Sequence, residues 1–551
     1  MKGQMMQSYR PTTLASNGMV TAPHYLAAGA GLDVLKKGGN AIEAAIAVAS
    51  TLAVVYPHMN SIGGDNFWLI SNQQTKEMKA LNSSGRAGQK ATIDFYRQKG
   101  FTSIPARGYL AAVTVPGAVA GWEEAYEYSK ESMGGKLPWA ELLAPAISYA
   151  KHGYPVTPSQ EHWTNVNLNV DDHEFRYLQR FKGFRDTFLK KDGTAYRAGE
   201  IMKQPDLART LEAIAEEGVQ VLYRGKIGER IVEEIRENGG VLTKEDFARH
   251  RSDWVNPISV PYRGYTAYNL PPNTQGFASL SILNIVNQFD LRFIEEGSSE
   301  YYHLLIEATK LAFADRDEWL TDPEFLHIPL RKLLSVERGR QLAAQIDFSH
   351  ANNLNKQLEP KGDTVWLGVV DKDGNAVSFI QSIYHDFGSG IVPEGTGITL
   401  QNRGSFFSLD PEHINRLEPN KRTFHTLNPA MLLKDDRPYL VYGTMGGEGQ
   451  PQTQAALVTR MIDYGYSVQA AIEAPRWLYG RTWGAGSNSL KAEARIPEFV
   501  LQQLSEKGHS VELEEDFSDT MGHAGAILID PQTNVKHGGA DPRGDGAALG
   551  F

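Results

Sequence analysis

The strongest constraint on the fold is an apolar run that ends in a hairpin signal. Val365–Val370 reads VWLGVV, with apolar side chains at odd and even positions alike. Because successive side chains of a strand point to opposite faces, both faces of this strand must be covered. Asp371–Asn375 reads DKDGN, which is typical of a tight turn, and Ala376–Ile380 continues as the second strand. Antiparallel strands covered on both faces predict stacked sheets between helical layers.

Further elements along the chain fit an α/β fold of this kind. Two helical segments occupy Ala22–Val55, with a break at Lys36–Asn40, where glycines follow lysines. Residues 116–315 are mostly helical in pattern. Short apolar runs predict other strands, at Phe67–Ile70, Met431–Leu433, Tyr439–Tyr442 and Ala526–Ile529. Neither repeats nor a long linker divides the chain, so one large unit is favoured over a string of domains.

The composition excludes several classes of function. The 551 residues carry a formal net charge of −10 and no basic block, which argues against a nucleic-acid partner. There is no cysteine, so disulfides, thiolate metal sites and cysteine nucleophiles are excluded. The first residues lack the apolar core of a signal peptide, and the longest apolar run, about Ala41–Val55, is too short to span a bilayer. We therefore expect a cytoplasmic protein without a membrane partner.

The common catalytic and cofactor motifs are missing or incomplete. Gly29-Ala30-Gly31 begins a dinucleotide-binding GxGxxG, but Val34 replaces the third glycine. The sequence contains no GxxxxGK[ST] phosphate loop, no GxSxG nucleophile elbow and no HExxH zinc motif. The 15 histidines are scattered without the spacing of metal ligands. We predict neither a metal nor a cofactor, and few routes to catalysis remain.

Thr364 stands directly before the apolar strand, after Gly362 and Asp363. A threonine at the start of a chain can be a nucleophile, because its own α-amine, with a pKa of about 7.7–8.0, serves as the base. Thr364 is internal, so this chemistry requires cleavage of the Asp363–Thr364 bond. Attack of the hydroxyl on the preceding carbonyl, followed by hydrolysis of the ester, would release the new N-terminus, and Gly362 would ease the turn. The alternative is an ordinary threonine that begins a strand.

A second catalytic element is offered by Gly446 and Gly447, which follow the predicted strand Tyr439–Tyr442. A glycine pair at such a place can present two backbone N–H groups to a developing oxyanion. The alternative is a tight turn with no catalytic role.

Thr364 and the hairpin that follows it resemble the start of the small subunit of gamma-glutamyltransferases. Other motifs of this family recur in the right order from about residue 15 to the end of the chain. They are Lys37–Ala41, Ile62–Gly64, Val115–Gly121, Phe387–Val392, Pro419–Arg422, Met445–Gly447 and Ala540–Arg543. An ordered series of this length is far more specific than any single motif.

The resemblance implies an N-terminal-nucleophile hydrolase with a four-layer αββα sandwich. It also implies autocleavage into a large subunit, residues 1–363, and a small subunit, residues 364–551, which share one interleaved unit. Thr364 would be the nucleophile, and Gly446 and Gly447 would donate to the oxyanion. Ser382 falls where the family has a threonine that hydrogen-bonds the nucleophile, and it keeps the hydroxyl. The implied reaction is attack on an amide, an acyl-enzyme, and transfer to water or an amine.

The arginine that binds the substrate carboxylate in the family has no direct counterpart here. Its position falls on Ser84, and Arg86 lies two residues later. We expect Arg86 to hold a carboxylate, because a guanidinium offers two parallel donors to one. A surface arginine without this role is the alternative.

The remaining pocket positions depart further from the family. Arg403 stands where many transferases have a glutamine, and Phe406 where they have the aspartate that binds the substrate ammonium. The segment between Phe407 and Pro419 is short, so the lid loop of many relatives is expected to be missing. The other predicted substrate-binding positions are Tyr384 in place of an asparagine, His425 and Thr426 in place of two serines, and Asn402 beside Arg403.

These changes remove an anion from the pocket and add a cation. Our hypothesis is a preference for glutaryl-like or other acidic acyl amides over γ-glutamyl amides, as in the cephalosporin-acylase-like branch of the family. One alternative is a true gamma-glutamyltransferase acting on glutathione-like peptides. Another, from a different class, is an inactive, unprocessed scaffold or binding protein, against which the retained Thr364, Ser382, Gly446 and Gly447 argue. The expected partners are a small amide, water or an amine acceptor, and the second subunit of a cleaved heterodimer, with higher assembly left open.

Overall fold

The computed structural model describes residues 9–352, 363–480 and 489–551, except for the side chain of Asp363. Its strands are, in chain order, β1 (Thr13–Ala15), β2 (Met19–Ala22), β3 (Asp65–Asn72), β4 (Glu77–Ser83), β5 (Tyr154–Pro155), β6 (Ile201–Met202), β7 (Asp253–Val255), β8 (Ile258–Tyr262), β9 (Tyr265–Asn269), β10 (Asp363–Val370), β11 (Ala376–Tyr384), β12 (Ala430–Lys434), β13 (Arg437–Thr444), β14 (Trp477–Tyr479), β15 (Leu490–Glu493), β16 (Val511–Glu514), β17 (Ala524–Ile529), β18 (Lys536–Ala540) and β19 (Ala547–Gly550).

The helices are, in the same order, α1 (Tyr25–Lys36), α2 (Ala41–Val55), α3 (Ile93–Gln98), α4 (Ala118–Ser132), α5 (Trp139–His152), α6 (Pro158–Val166), α7 (Lys182–Phe188), α8 (Pro205–Glu217), α9 (Gln220–Tyr223), α10 (Lys226–Glu237), α11 (Lys244–Arg249), α12 (Gly276–Val286), α13 (Ser299–Trp319), α14 (Leu330–Leu333), α15 (Val336–Ala343), α16 (Gly449–Ile462), α17 (Val468–Glu473) and α18 (Glu498–Glu506). Short 3-10 turns cover Leu178–Arg180, Leu291–Phe293, Arg403–Phe406 and Asp519–Met521.

Two seven-stranded sheets form the centre of the molecule. Sheet I has the order β19-β2-β10-β11-β3-β4-β7, and sheet II has the order β1-β18-β17-β13-β12-β9-β8. Neighbouring strands of both sheets are antiparallel. Strands from before and after Thr364 are neighbours in sheet I, since β2 pairs with β10 and β3 with β11. The two parts of the chain that meet at Thr364 therefore share this sheet.

Apolar side chains fill the space between the sheets and fix their close approach. Trp366, Ile380, Met431 and Val441 belong to this inner core. The Trp366 ring lies against Gly443 of sheet II, where a Cβ atom would collide with it. Its indole N–H donates to Ser378 Oγ at 3.0 Å, so the polar atom of this large buried ring is paired. The two-sided apolar pattern of Val365–Val370 is explained, because β10 faces the second sheet on one side and helices on the other.

Helices cover the outer faces of both sheets. α1, α2 and α4 pack against sheet I. α12, α16 and α17 pack against sheet II, and α13 lies on α12 and α16. The order of layers is helix, sheet, sheet, helix, which confirms the predicted four-layer αββα fold class.

The break predicted between the first two helices is confirmed. α1 ends at Lys36 and α2 begins at Ala41. Asn40 caps α2, because its side-chain oxygen accepts the N–H groups of Ile42 and Glu43 at 3.0 Å each. The Glu43 carboxylate accepts the Asn40 N–H at 2.8 Å and completes a capping box.

The prediction of a mostly helical stretch over residues 116–315 is incomplete. β7, β8 and β9 lie within it, and β8 is the last strand of sheet II. β8 carries Pro261, which an edge strand tolerates and which weakens the strand pattern in the sequence. In the part of the chain that the structure describes, no helix combines the length and apolar character needed to cross a membrane.

Candidate active site

Thr364 lies where β10 pairs irregularly with β11. Asp363 pairs with Tyr384 and Val365 pairs with Gln381, so the register shifts at Thr364, and Ser382 is one of the two β11 residues opposite it. Such bulges re-aim side chains and are frequent beside active sites. Thr364 and Ser382 are both fully buried. Gly362, which we predicted to ease the cleavage turn, lies outside the described residues.

Arg403 is a buried cation beside this pair. Its guanidinium donates to Ser382 Oγ at 3.2 Å and to Thr426 Oγ1 at 3.3 Å, and the residue is only 1% exposed. Burial lowers the pKa of Arg403 to about 10, and the negative charge of Asp65 opposes this shift. The guanidinium is still protonated at neutral pH, so a full positive charge lies next to the predicted nucleophile.

Tyr384 and Phe406 lie along the guanidinium, and Phe424 packs on Phe406. The ring centroids of Tyr384 and Phe406 are 4.5 Å apart, and those of Phe406 and Phe424 are 4.9 Å apart. Tyr384 has a φ of 82°, which is rare for a residue with a side chain, and its N–H donates to Ser382 Oγ at 2.8 Å. The place that the family gives to an ammonium-binding aspartate is therefore apolar here.

Asp65 is a buried acid in this pocket that the sequence did not reveal. It begins β3, its register partner on β11 is Ser382, and its Oδ2 is 3.2 Å from His425 Nε2. Burial raises the pKa of Asp65 to about 6, although hydrogen bonds and the charge of Arg403 act in the opposite direction. Burial, with the nearby Arg403 and Arg422, holds the pKa of His425 well below its usual value. At neutral pH the pocket thus contains one anion, one cation and a neutral imidazole.

The Asn402 side chain links its own segment to the segments that contain Ala106 and His385. Its Nδ2 donates to the carbonyl of Ala106 at 2.6 Å and lies 2.9 Å from His385 Nδ1, while its Oδ1 accepts the His385 N–H at 3.1 Å. These contacts fix the chain just before Arg403. The substrate contact predicted for Asn402 stays a prediction.

Gly446 and Gly447 lie between β13 and the start of α16. Their φ values are 117° and 53°, which favour glycine at both positions. Among the described residues, neither N–H donates to a protein acceptor. The N-terminus of α16 adds a partial positive charge at the same place. The oxyanion role predicted for the pair stays a prediction.

The buried side chain of Gln275 hydrogen-bonds the segment that carries Gly446 and Gly447. Its Nε2 donates to the carbonyls of Gly447, at 2.9 Å, and Thr426, at 2.8 Å. Its Oε1 accepts from the Arg316 guanidinium at 3.1 Å, and Arg316 also donates to Glu448 at 2.9 Å. One buried amide thus ties the glycine pair to the segment that carries His425 and Thr426.

Arg86 belongs to a separate group of charges. Its guanidinium lies 2.5 Å from Glu324 and 3.4 Å from Asp253. Asp253 also binds the buried Arg422 at 2.6 Å, and Arg422 Nε donates to the carbonyl of Ser84 at 3.1 Å. Acidic side chains already neutralise Arg86, and its predicted role as a carboxylate clamp stays a prediction.

A buried cluster outside this site was also missed, although His303 and Glu307 are four residues apart on α13. One ligand atom each from His303, Glu307 and His509 lie within 4.8 Å of one another. His303 Nδ1 is 2.9 Å from His509 Nε2, and Lys310 Nζ is 2.7 Å from Glu307 Oε1. His303 and His509 thus lie within hydrogen-bond distance of each other, and Glu307 forms an ion pair with Lys310.

Comparison with known proteins places this site in a family. The gamma-glutamyltranspeptidase family matches the chain over residues 27–551. The chain is 48% identical over 542 residues to the glutathione hydrolase-like YwrD proenzyme of Bacillus subtilis, covering 98% of this chain and 99% of that protein. It is 46% identical over 540 residues to the oxamate amidohydrolase proenzyme of Klebsiella pneumoniae, covering 98% of this chain and 99% of the relative.

A solved structure agrees with this assignment. The cephalosporin acylase from Bacillus halodurans is similar with a TM-score of 0.89 and 41% identity, over 100% of this chain and 99% of that one. The chain therefore belongs to the gamma-glutamyltranspeptidase family and is an amidase or acyltransferase of that family.

Proposed function

We propose that the protein cleaves itself before Thr364 and then transfers acidic acyl groups from amides to water or an amine. The observation that carries the acyl preference is the buried guanidinium of Arg403, next to Ser382 and flanked by Phe406 instead of an acid. A carboxylate gains from such a cation, whereas an ammonium is repelled by it and has no acid at position 406.

Self-cleavage comes first in the proposed sequence. The Thr364 hydroxyl attacks the carbonyl of Asp363, the peptide nitrogen takes up a proton, and an ester links the two residues. Water hydrolyses the ester and leaves a large subunit, residues 1–363, and a small subunit, residues 364–551, with a free α-amine on Thr364. The irregular pairing of β10 at this bond supports the proposal, because it separates Thr364 from the regular hydrogen-bond ladder.

Turnover of a substrate uses the same hydroxyl. The α-amine of Thr364 takes the hydroxyl proton while the oxygen attacks the substrate amide carbon. The N–H groups of Gly446 and Gly447 stabilise the oxyanion, and Ser382 hydrogen-bonds Thr364 Oγ1. The proton passes to the leaving amine, which departs and leaves an acyl-threonine ester. Water or a second amine then attacks the ester and restores the hydroxyl.

The relatives support an acidic acyl group without an α-amine. Oxamate carries a carboxylate and an amide but no ammonium, and it is the substrate named for the 46% identical relative. The structural neighbour is named as a cephalosporin acylase. The name of the oxamate relative fits a pocket that binds an acyl group through a single anionic end.

A panel of amides tests this preference. Purified processed protein is given glutaryl-4-nitroanilide, γ-glutamyl-4-nitroanilide and oxamate at matched concentrations, and kcat/KM is measured for each. We expect the glutaryl compound or oxamate to be turned over at least about tenfold faster than the γ-glutamyl compound, the factor that one charge-assisted hydrogen bond supplies. Clearly faster γ-glutamyl turnover would contradict the proposal.

Glutathione hydrolysis is the second candidate, because the 48% identical relative is named glutathione hydrolase-like. Release of glutamate from glutathione, with and without a dipeptide acceptor, distinguishes it. Glutamate release at a kcat/KM above that for the acidic amides would favour this candidate.

A denaturing gel distinguishes the two enzymatic candidates from the third, an inactive scaffold. Cleavage before Thr364 divides the 60.9 kDa chain into bands of about 40 and about 20 kDa. A single band at full mass in protein that turns over amides would remove Thr364 as the nucleophile. T364A should stay uncleaved and inactive.

A further inference from the structure

Asp65 connects four separate segments of the chain around the acyl pocket. Its Oδ1 accepts the N–H groups of Gly85, at 3.0 Å, and Gly117, at 3.1 Å, as well as Gln401 Nε2 at 3.0 Å. Its Oδ2 meets His425 Nε2 at 3.2 Å. The residue is 1% exposed. A single buried carboxylate thus holds the loop after β4, the start of α4, and the two segments that carry Arg403 and His425.

The carboxylate of Asp65 is largely committed to groups of the protein itself. Three donors converge on Oδ1 and His425 contacts Oδ2, so only one of the about four lone-pair sites of a carboxylate, on Oδ2, is not used by these contacts. We therefore do not assign to Asp65 the ammonium-binding role of the aspartate that Phe406 replaces. Its charge acts on the protein's own groups instead.

The contact with Asp65 decides the tautomer of His425. An ionised carboxylate only accepts, so the neutral imidazole must carry its proton on Nε2 and keep Nδ1 as an acceptor. Gln401, two residues before Arg403, donates to the same carboxylate at 3.0 Å, so the segment that carries Arg403 is tied to Asp65 as well. Arg403 and the His425–Thr426 segment are then joined directly, through the bond from Arg403 to Thr426 Oγ1 at 3.3 Å.

We propose that Asp65 is the positioning residue of the acyl pocket, which fixes the His425 tautomer and ties the segments that carry His425 and Arg403 together, so that the guanidinium is held ready for a substrate carboxylate. The inference rests on the proposed function, because it takes Arg403 as the group that binds the acyl carboxylate. Asp65 acts through His425 and the neighbouring segments and does not itself contact the substrate.

The substitution D65N isolates the effect on the His425 tautomer. An asparagine oxygen can still accept from Gly85, Gly117 and Gln401, while its NH₂ group faces His425 and demands an acceptor there. His425 must then move its proton to Nδ1. We expect the KM for the wild type's preferred acidic amide to rise about tenfold or more, as for the loss of a hydrogen bond to a charged group. The kcat should change less than about threefold, and cleavage before Thr364 should continue.

D371N is the matched control. Asp371 is also a buried aspartate of the αββα core that accepts backbone N–H groups, from Ala41 at 3.1 Å and Asn375 at 3.0 Å, but it lies at the far end of β10. Its KM should stay within about twofold of the wild type, since it touches no pocket residue. A KM for D65N equal to that of D371N would overturn the inference.

The H425Q background tests whether Asp65 acts through the imidazole. A glutamine at 425 can turn either its oxygen or its NH₂ group toward residue 65, so it can pair with an aspartate or an asparagine there. A histidine at 425 must change its tautomer to do the same. D65N should therefore raise KM less than about threefold in H425Q, and the double-mutant cycle should be strongly non-additive. Additive effects, or a loss that falls mainly on kcat, would show a general structural role instead.

The pH profile of the wild type gives a measurement that does not depend on the folding of D65N. KM should rise as pH falls through about 6, where Asp65 takes up a proton. The same rise should be absent in D65N. The other groups near the carboxylate, Arg403, His425 and the Tyr223 hydroxyl, have pKa values displaced away from this range. The α-amine of Thr364, with an unperturbed pKa of about 7.7–8.0, is the base of the chemical step, so its titration should change kcat and not KM. The substrate carboxyl, at about 4.3, stays ionised. A KM that is flat between pH 5 and 8 would contradict the inference.

Failure of this inference is distinct from failure of the proposed function. If the wild type prefers γ-glutamyl amides, the proposed acyl preference is wrong whatever D65N does. If the wild type prefers acidic amides but D65N leaves their KM unchanged, the acyl preference stands and Asp65 has no positioning role.

Discussion

The guanidinium of Arg403 lies over the ring of Tyr384, with its central carbon 4.5 Å from the ring centroid. Phe406 lies beside the same group, at 5.3 Å. Aromatic faces stabilise a cation without neutralising it, unlike a carboxylate. The two rings therefore hold the charge of Arg403 in place, and under the proposed function that charge pairs with the carboxylate of an acidic substrate.

F406D tests whether this arrangement sets the acyl preference. An aspartate at 406 would form an ion pair with Arg403 and compete with the substrate carboxylate. We expect kcat/KM for glutaryl-4-nitroanilide to fall about tenfold or more, the cost of a hydrogen bond to a charged group, and the ratio of γ-glutamyl to glutaryl turnover to rise. F406L is the control, because it keeps the site apolar. An equal fall in F406L would mean that packing and not charge is responsible.

S382A tests the support of the nucleophile. Ser382 lies opposite Thr364, and its oxygen accepts from the Tyr384 N–H and from Arg403, so its own hydroxyl can donate toward Thr364. Removal of the hydroxyl should slow both self-cleavage and turnover, with kcat lower by about 10²-fold, as for other positioned proton-handling groups. S382T should keep at least half of the activity. Equal activity of S382A and the wild type, followed with the preferred anilide, would exclude this role.

The sequence predicted more of the architecture than of the pocket. The two-sided apolar run, the hairpin and the helix break before Asn40 are local signals, and all three appear as predicted. In the sequence, Asp65 only stands between the Ile62–Gly64 motif and the predicted strand Phe67–Ile70. Its role depends on Gly85, Gly117, Gln401 and His425, which are distant in sequence and meet only in the folded chain. No periodicity or spacing rule detects such a convergence.

Q275L tests the support of the oxyanion site. Gln275 donates to the Gly447 carbonyl, in the peptide plane that directly follows the two proposed oxyanion donors, and so restrains the turn that carries them. Its loss should lower kcat by about 10- to 100-fold, less than the removal of an oxyanion donor itself, with little change in KM. Q288L, at the other end of α12, should leave both constants unchanged. A rise in KM alone would point to the pocket segment at Thr426, which Gln275 also contacts, and not to the oxyanion site.

D541N tests a buried ion cluster that contains Asp541 and Arg543, two residues of the Ala540–Arg543 motif. Asp541 binds Arg476 at 2.5 Å and Arg543 at 3.0 Å, and all three are buried. Loss of its charge leaves two buried guanidinium groups with too few anions, so we expect the free energy of unfolding to fall by about 3–5 kcal/mol. Urea unfolding followed by tryptophan fluorescence measures the change, with the exposed Asp373 as control in D373N. Equal midpoints for D541N and D373N would contradict the prediction.

The same cluster should make the wild type sensitive to acid. Burial alone would raise the pKa of Asp541, but the charges of Arg476 and Arg543 outweigh it and hold that pKa well below the usual value. A carboxyl whose folded pKa is depressed contributes stability above its unfolded pKa of about 3.9, and this contribution is lost as pH falls toward the folded value. The wild type should therefore lose stability below about pH 4 more steeply than D541N, which has no carboxyl to protonate at this position. Parallel stability curves for the two proteins between pH 2 and 5 would show that the Asp541 carboxyl does not drive the acid response.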